Sequence, residues 1–267
     1  MSRLTYRSVF VSDVHLGLAD CQSAYLLDFL RSIECERLYL VGDIIDLENL
    51  ARRPWWHAQH GEVLAEIFAI AARGTRVTYI PGNHDAMLRR FAGLRFAGID
   101  IALDAVHIGV DGRRYRVSHG DEHDGGSTAP AWLIRLGDAL QGVVCTMNRH
   151  CNALLRRCGL RYRPLSIAIK SRIGAARRFI ESFETRVADT ARAAGYDGHI
   201  CGHIHYGRIR EHGDVIYAND GDWVEHCTAL VEHADGALEL LHWAGHRDSL
   251  GVCRALMPEP MPLPVAA

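Results

Sequence analysis

Apolar positions along this chain fall into short solid runs and spaced stripes. Residues 8–11, 38–41 and 77–80 are solid runs, each followed at once by a polar block: Ser12-Asp13-Val14-His15, Gly42-Asp43 and Pro81-Gly82-Asn83-His84-Asp85. A short apolar run closed by turn residues predicts a strand buried on both faces. Residues 23–33 carry Leu26, Leu27, Leu30 and Ile33 at helical spacing, and residues 63–72 form a second stripe that stops at Gly74. Both read as helices, and strands alternating with helices predict an α/β sheet.

The pattern changes after residue 104. Residues 105–110 and 114–118 flank Asp111-Gly112, residues 208–210 and 215–218 flank His212-Gly213-Asp214, and residues 227–232 and 237–243 flank Asp235-Gly236. Each pair has the signature of a hairpin, so a second, partly antiparallel sheet packed on the first is expected. Between these hairpins, residues 131–194 repeat Leu133, Leu136, Leu140, Val143, Met147, Cys151, Leu154 and Cys158 at steps of three and four, break at Pro164, and resume through Ile173, Ala176, Ile180, Phe183 and Val187. That stretch reads as an inserted helical lid.

Composition narrows the class without choosing a partner. The 267 residues suffice for one large α/β domain with an insert, and a net charge of −2 gives no general attraction to nucleic acid. The opening MSRLTYRSVF has no apolar segment of a secretory signal, and no apolar run reaches the length of a membrane span. The eight cysteines form no CxxC pair, which fits reduced thiols in a cytoplasmic protein. The expected domain spans residues 1–256, followed by a proline-rich tail, 257–267, with the composition of a disordered end.

The chemistry sits in five blocks: Asp13-x-His15, Gly42-Asp43, Gly82-Asn83-His84-Asp85, His119-Gly120-Asp121 and Cys201-Gly202-His203-Ile204-His205. Four follow directly on a strand-like run, and ligands of open α/β sheets gather beyond the carboxyl ends of strands. Imidazole mixed with carboxylate suits first-row divalent metals, and a shared carboxylate can bridge two ions about 3.5–4 Å apart. Only Asp13 and Asp43 would bring negative charge. A pair of ions held mostly by Asn83, His119, His203 and His205 would keep excess positive charge for an anionic phosphate.

In this order, DxH…GD…GNHD…HGD…GHxH resembles the calcineurin-like metallophosphoesterases, over residues 9–243. The resemblance implies an α/β fold with a four-layer αββα sandwich, and a hydrolase of phosphoric esters or pyrophosphates using two divalent ions. Manganese is the first expectation, with iron and zinc as alternatives. It implies one ion on Asp13, His15, Asp43 and His205 and a second on Asp43, Asn83, His119 and His203. His84 would then face the scissile phosphate and assist the leaving group, with Asp85 supporting its loop.

A narrower resemblance is to the UDP-2,3-diacylglucosamine pyrophosphatases of lipid A synthesis. The insert lies in the same place, between HGD and GHxH, and Gly221-Asp222-Trp223 is similar. Typical members of that group carry arginine where this chain has His84. The resemblance implies in-line attack of water on phosphorus, giving UMP and a lipid-linked sugar 1-phosphate. Two alternatives stay open: a phosphodiesterase or phosphomonoesterase acting on a different small substrate, and a non-catalytic scaffold of the same fold. The complete set of blocks argues against the scaffold.

The insert fits an amphiphilic anionic substrate. Residues 149–192 hold eleven Lys and Arg against three Asp and Glu. Such a surface could bind a pyrophosphate or touch an anionic membrane from the cytoplasmic side, although a solvated helix face explains about half of the arginines. Asp124, Asn148, Lys170 and Arg177 are candidate substrate contacts, while Asp46 and Asp124 have other uses as helix caps or partners of ligand histidines. Trp55, Trp56, His57 and His60 could stack on a base or sugar, or form a buried aromatic group. Cys201 reads as a small core residue, and nothing in the sequence signals an oligomeric state.

Overall fold

The structure, a computed structural model, describes residues 3–124 and 174–254. The first sheet contains β1 (Leu4–Val11), β2 (Ile33–Val41), β3 (Arg76–Ile80), β4 (Arg95–Phe96), β5 (Ile99–Ile101), β11 (Thr228–Glu232), β12 (Leu238–Trp243) and β13 (Arg247–Cys253). Their order is β13-β12-β11-β1-β2-β3-β5-β4. The second sheet contains β6 (Ala105–Ile108), β7 (Arg114–Val117), β8 (Gly198–Cys201), β9 (Arg208–His212) and β10 (Val215–Asn219), in the order β6-β7-β8-β10-β9. All three expected hairpins form as antiparallel pairs.

Alternation along each strand builds the layers, because successive side chains leave a strand on opposite faces. Val9, Val11, Leu38, Leu40, Val77, Tyr79, Ala229 and Val231 point to one face of the first sheet. There they meet Leu26, Phe29 and Leu30 of α1 (Ser23–Ser32) and Val63, Ile67 and Ile70 of α3 (Ala58–Ala72). Phe10, Tyr39, Val41, Ile80 and Leu230 point the other way, onto Tyr115, Val117, Ile200, Ile216 and Ala218 of the second sheet. A short α2 (Leu47–Arg52) lies between β2 and α3.

The outer face of the second sheet is covered by α4 (Gly174–Ala193), completing the αββα sandwich. Phe183 and Val187 pack on Tyr217 and Cys201, while Ala188 and Ala191 pack on Val215. Buried Glu184 ties the helix to β9 by accepting from Arg208 (3.4 Å) and Arg210 (3.1 Å). This corrects part of the expected lid: the portion of 131–194 that forms α4 is a structural layer, held by its own apolar stripe. The rest of the insert, with Asn148 and Lys170, and the tail 257–267 lie outside the described residues.

The parallel set β1, β2 and β3 ends at one edge of the first sheet, and the parallel set β7, β8 and β10 does so in the second. The five blocks leave these ends and meet where the two sheets open.

Candidate metal centre

Asp13, His15, Asp43, His119 and His203 are each held by one atom and present another. Asp13 Oδ2 accepts from Ser12 Oγ (2.5 Å) and from the His203 backbone N–H (2.8 Å), which leaves Oδ1 facing His205 Nε2 at 3.1 Å. His15 Nδ1 donates to Asp46 Oδ2 at 3.2 Å, and its Nε2 lies 3.4 Å from His205 Nε2. Asp43 Oδ1 accepts from the His84 backbone N–H at 2.8 Å. Asp43 Oδ2 stands between His15 Nε2 (3.8 Å) and His119 Nε2 (3.3 Å). His119 Nδ1 donates to the Val41 carbonyl at 2.9 Å, turning Nε2 toward Asn83 Oδ1 at 3.2 Å.

Two groups of donors result. Atoms of Asp13, His15 and His205 lie within 4.8 Å of one another, and so do atoms of Asp13, Asp43 and His119. Nitrogen and carboxylate ligands sit about 2.0–2.2 Å from such ions, so two ligands of one ion are expected about 3–3.5 Å apart. The spacings above fall in or near that range. Asp13 Oδ1 and His203 Nδ1 are buried without a hydrogen-bond partner among the described residues. Orphaned lone pairs of this kind, beside two buried carboxylates, suit divalent cations.

His203 enters differently from the other ligands. Its ring stands edge-on to His119 at 5.2 Å, and its Nε2 lies 2.8 Å from Asp124 Oδ1. Nδ1 is therefore the atom it has to offer, and Asp124 acts as partner of a ligand histidine. The dual expectation for Asp46 is also met: it accepts from the Asn49 backbone N–H as the cap of α2, and it holds both His15 and His84 Nδ1 (3.2 Å).

Electrostatics agree with a cation site. Burial alone would raise the carboxyl of Asp43, but the hydrogen bond and charge of His119, with His15 and His84, hold it below the usual carboxylate range. Burial likewise opposes ionisation of Asp13, and His205 and His119 outweigh it. In return His119, despite burial that disfavours its charge, is raised to about 10 by Asp43 and Asp13. Protons on imidazoles thus balance the carboxylates of the protein alone, and a metal ion would take over that role. His84 is only partly buried, and Asp46 and Asp43 outweigh its desolvation and raise it to about 9.

Local backbone shape is unusual at the ligands. Asp13, His15, Asp43, His203 and His205 have φ of 49°, 53°, 53°, 71° and 50°. Non-glycine residues rarely adopt this left-handed region, which costs about 1–2 kcal/mol each. Neighbouring glycines make room: a Cβ on Gly42 would overlap the His119 ring, one on Gly82 would overlap Asp43 Oδ1, and one on Gly202 would overlap Ser12 Oγ and Asp13 Oδ2.

Asp85 ties its loop from within. Its Oδ1 accepts from the Gly82 N–H (2.6 Å), and its Oδ2 accepts from the Ile44 N–H (3.0 Å) and the Tyr79 hydroxyl (2.5 Å). Arg177 is exposed on α4 and paired with Glu181 at 2.9 Å. Trp55 and Trp56 are each 43% exposed rather than a buried pair, and both stand edge-on to His60. Cys201 is buried, and desolvation raises its thiol well above the usual range, as suits a core residue.

Sequence reasoning missed the support behind Asp13. Ser12 Oγ stands between two buried carboxylates, 2.5 Å from Asp13 Oδ2 and 2.6 Å from Asp220 Oδ1, and burial raises the Asp220 carboxyl well above the usual carboxylate range. Asn219 Nδ2 holds the Gly202 carbonyl at 2.6 Å, and the Trp223 N–H reaches the Asp13 carbonyl at 3.0 Å. The signal was present: Asn219-Asp220-Gly221-Asp222 is a polar block directly after an apolar strand, like the five blocks themselves.

A model of the calcineurin-like phosphoesterase family matches residues 6–207. The chain is 30% identical over 118 residues to a UDP-2,3-diacylglucosamine hydrolase of Serratia proteamaculans (strain 568), covering 43% of this chain and 48% of that one. It is 28% identical over 127 residues to the enzyme of the same name from Aliivibrio fischeri (strain MJ11), covering 42% and 47%. It is 31% identical over 121 residues to that of Aeromonas salmonicida (strain A449), covering 43% and 45%. The chain thus spans about half the length of the curated relatives it matches. Among solved structures, Yfce, a phosphoesterase from E. coli, aligns over 92% of this chain and 98% of its own, with 14% identity and a TM-score of 0.48.

Proposed function

This chain belongs to the calcineurin-like phosphoesterase family, and from that membership we propose that it hydrolyses the pyrophosphate of UDP-2,3-diacylglucosamine or a similar amphiphilic nucleotide. The observation that carries a two-ion reaction is the place of Asp43 Oδ2, between His15 Nε2 of one donor group and His119 Nε2 of the other. When bound, two divalent ions supply Lewis-acid stabilisation of the phosphoryl oxygens and lower the pKa of attacking water. Asp13, His15, Asp43 and His205 would hold one ion, and Asp43, Asn83, His119 and His203 the other. Manganese is the first choice for this mixed donor set, with iron or zinc as alternatives.

The chain's own residues do the rest. Water adds to one phosphorus, the bond to the bridging oxygen breaks, and the products are UMP and a lipid sugar 1-phosphate. His84 stands partly exposed beside both donor groups, with its Nδ1 fixed by Asp46. Its Nε2, which has no hydrogen bond among the described residues, is the atom to hydrogen-bond the departing oxygen or donate a proton to it. Asp85 keeps that loop rigid. The substrate is supported by the names of the three relatives, which are hydrolases of this compound.

A second reading, hydrolysis of a small phosphodiester, is favoured by the exposure of Asn83 at the mouth of the centre. A panel with purified protein and Mn²⁺ separates the two: detergent-dispersed UDP-2,3-diacylglucosamine, UDP-glucose, and bis(p-nitrophenyl) phosphate. Release of UMP from the lipid substrate, at a far higher kcat/KM than from UDP-glucose, is the expected result. Turnover of the chromogenic diester alone would replace the first reading with the second.

A further inference from the structure

A second group of metal-type donors lies on the α4 side of the second sheet. Val117 of β7 and Ile200 of β8 face the first sheet, so their neighbours Ser118 and His199 leave on the opposite face. There they meet the 3-10 turn Asp121–His123, which follows the fourth block and is closed by the His123 N–H to the Gly120 carbonyl (2.9 Å). His123 stands edge-on to His199 at 5.2 Å and to Phe183 of α4 at 6.4 Å. Arg186 of α4 donates to the His123 carbonyl at 2.8 Å.

One donor atom each of Glu122, His123 and His199 lies within 4.8 Å of the other two. His123 Nε2 is 3.5 Å from Glu122 Oε1, the separation of two ligands on one ion. Ser118 Oγ lies 2.5 Å from the same oxygen and 2.8 Å from His199 Nε2. A histidine buried only for packing normally spends its ring nitrogens on partners. Here both rings are buried, yet His123 Nε2 and His199 Nδ1 have no hydrogen-bond partner among the described residues. Glu122 is exposed, which gives an ion its way in. Arg116 approaches Glu122 Oε1 only at 3.4 Å and is shared with Asp104 at 3.2 Å.

Protonation states are those of ligands. Burial lowers both imidazoles, His199 to about 3, so both stay neutral. Burial opposes ionisation of Glu122, but the Ser118 hydroxyl, its own backbone and the two imidazoles lower it to about 2. Neutral imidazole and ionised carboxylate are the forms that bind metal.

We propose that Glu122, His123 and His199 form a third cation site, separate from the two-ion centre, that takes one divalent ion of the zinc class. Two imidazoles with one carboxylate favour zinc over calcium or magnesium, and water or the Ser118 hydroxyl fills the fourth position. The ion fastens the turn after the fourth block to β8, which runs on into the block of His203 and His205. The turn also ends on Asp124, the partner of His203. The role is structural, and it does not depend on which phosphate ester the centre cleaves.

The test is zinc content of the full chain, stripped with chelator and dialysed to equal free zinc, by elemental analysis. The parent should hold one ion more than H123F/H199V, whose apolar rings and branches suit a buried place. The same difference of one ion should persist when both proteins also carry D43A, which damages the two-ion centre. E122Q changes an exposed side chain and so keeps the fold. It should weaken zinc at one site by at least the roughly 10–100-fold that loss of an orienting partner costs. Circular dichroism shows that each variant is folded. Equal zinc in the parent and H123F/H199V, with E122Q binding as the parent does, overturns the proposal. So does a difference carried instead by H246A, at the more exposed group of His242, His246 and Asp248.

Discussion

Asp46 Oδ2 lies 3.2 Å from Nδ1 of His15, and the other oxygen of the same carboxylate lies 3.2 Å from Nδ1 of His84. One buried side chain thus orients a metal ligand and the residue assigned to the leaving group. Asp46→Ala should leave every ligand in place yet lower metal affinity about 10–100-fold, the usual cost of removing such an orienting partner. Titration of the metal-free protein with Mn²⁺ checks this. Asp46→Asn should recover part of the affinity, since one amide oxygen can still accept from His15. An alanine variant that binds as tightly as the parent would remove Asp46 from the centre.

His84 is bound to no assigned metal position, so His84→Ala should keep both ions and lose turnover. Proton donation is worth about 10²–10⁴ in rate. The loss should be large for an alkyl phosphodiester and small for a nitrophenyl one, whose leaving group needs no proton. Equal losses on both would point to a role in binding phosphate, not in proton donation.

Gly202→Ala should act through sterics alone. Its Cβ would overlap Ser12 Oγ and Asp13 Oδ2, both fully buried, and neither can retreat without breaking the Asp220–Ser12–Asp13 chain. Overpacking of this kind costs about 1–3 kcal/mol. Urea midpoints measure it, and metal content should fall in parallel because Asp13 is displaced. Gly74→Ala is the control: its Cβ would meet nothing, although its φ of +100° carries backbone strain. It should lose stability but retain metal.

His199 gives the acid response a specific component. Burial first, then the charge of His123, lowers its pKa to about 3, against 6.5 in the unfolded chain. The folded state therefore refuses a proton that the unfolded state takes up below 6.5. Stability contributed by neutral His199 is complete above pH 6.5 and is lost as pH falls toward 3. The slope from this one group is about 1.4 kcal/mol per pH unit. His199→Gln, compared with the parent in chelator by circular dichroism, should flatten the pH profile across that window. Parallel profiles would assign acid sensitivity elsewhere.

Much of the centre was legible because four of the five ligand blocks follow directly on a strand-like run, and parallel strands of one sheet end together at one edge. Asp13, Asp43, Asn83 and His119 could be placed by that rule. What the rule could not show was conformation. Nothing in the letters indicates that Asp13, His15, Asp43, His203 and His205 take positive φ, a region usually left to glycine. Nor could periodicity name the partner of an apolar stripe. Ile180, Phe183 and Val187 carry the same signal whether a helix covers a site or a sheet, and only the sheet contact of α4 decides. The edge strands β4, β5 and β13 escaped notice because they are short or polar, without sustained alternation.

The first sheet delivers Asp13, His15, Asp43 and Asn83, and the second delivers His119, His203 and His205. Ions shared between these sets act as cross-links between two halves of the molecule. Their binding energy then counts as cohesion between the sheets, growing with metal concentration as RT ln(1 + [M]/Kd). Chelation would loosen the seam before it melted either sheet.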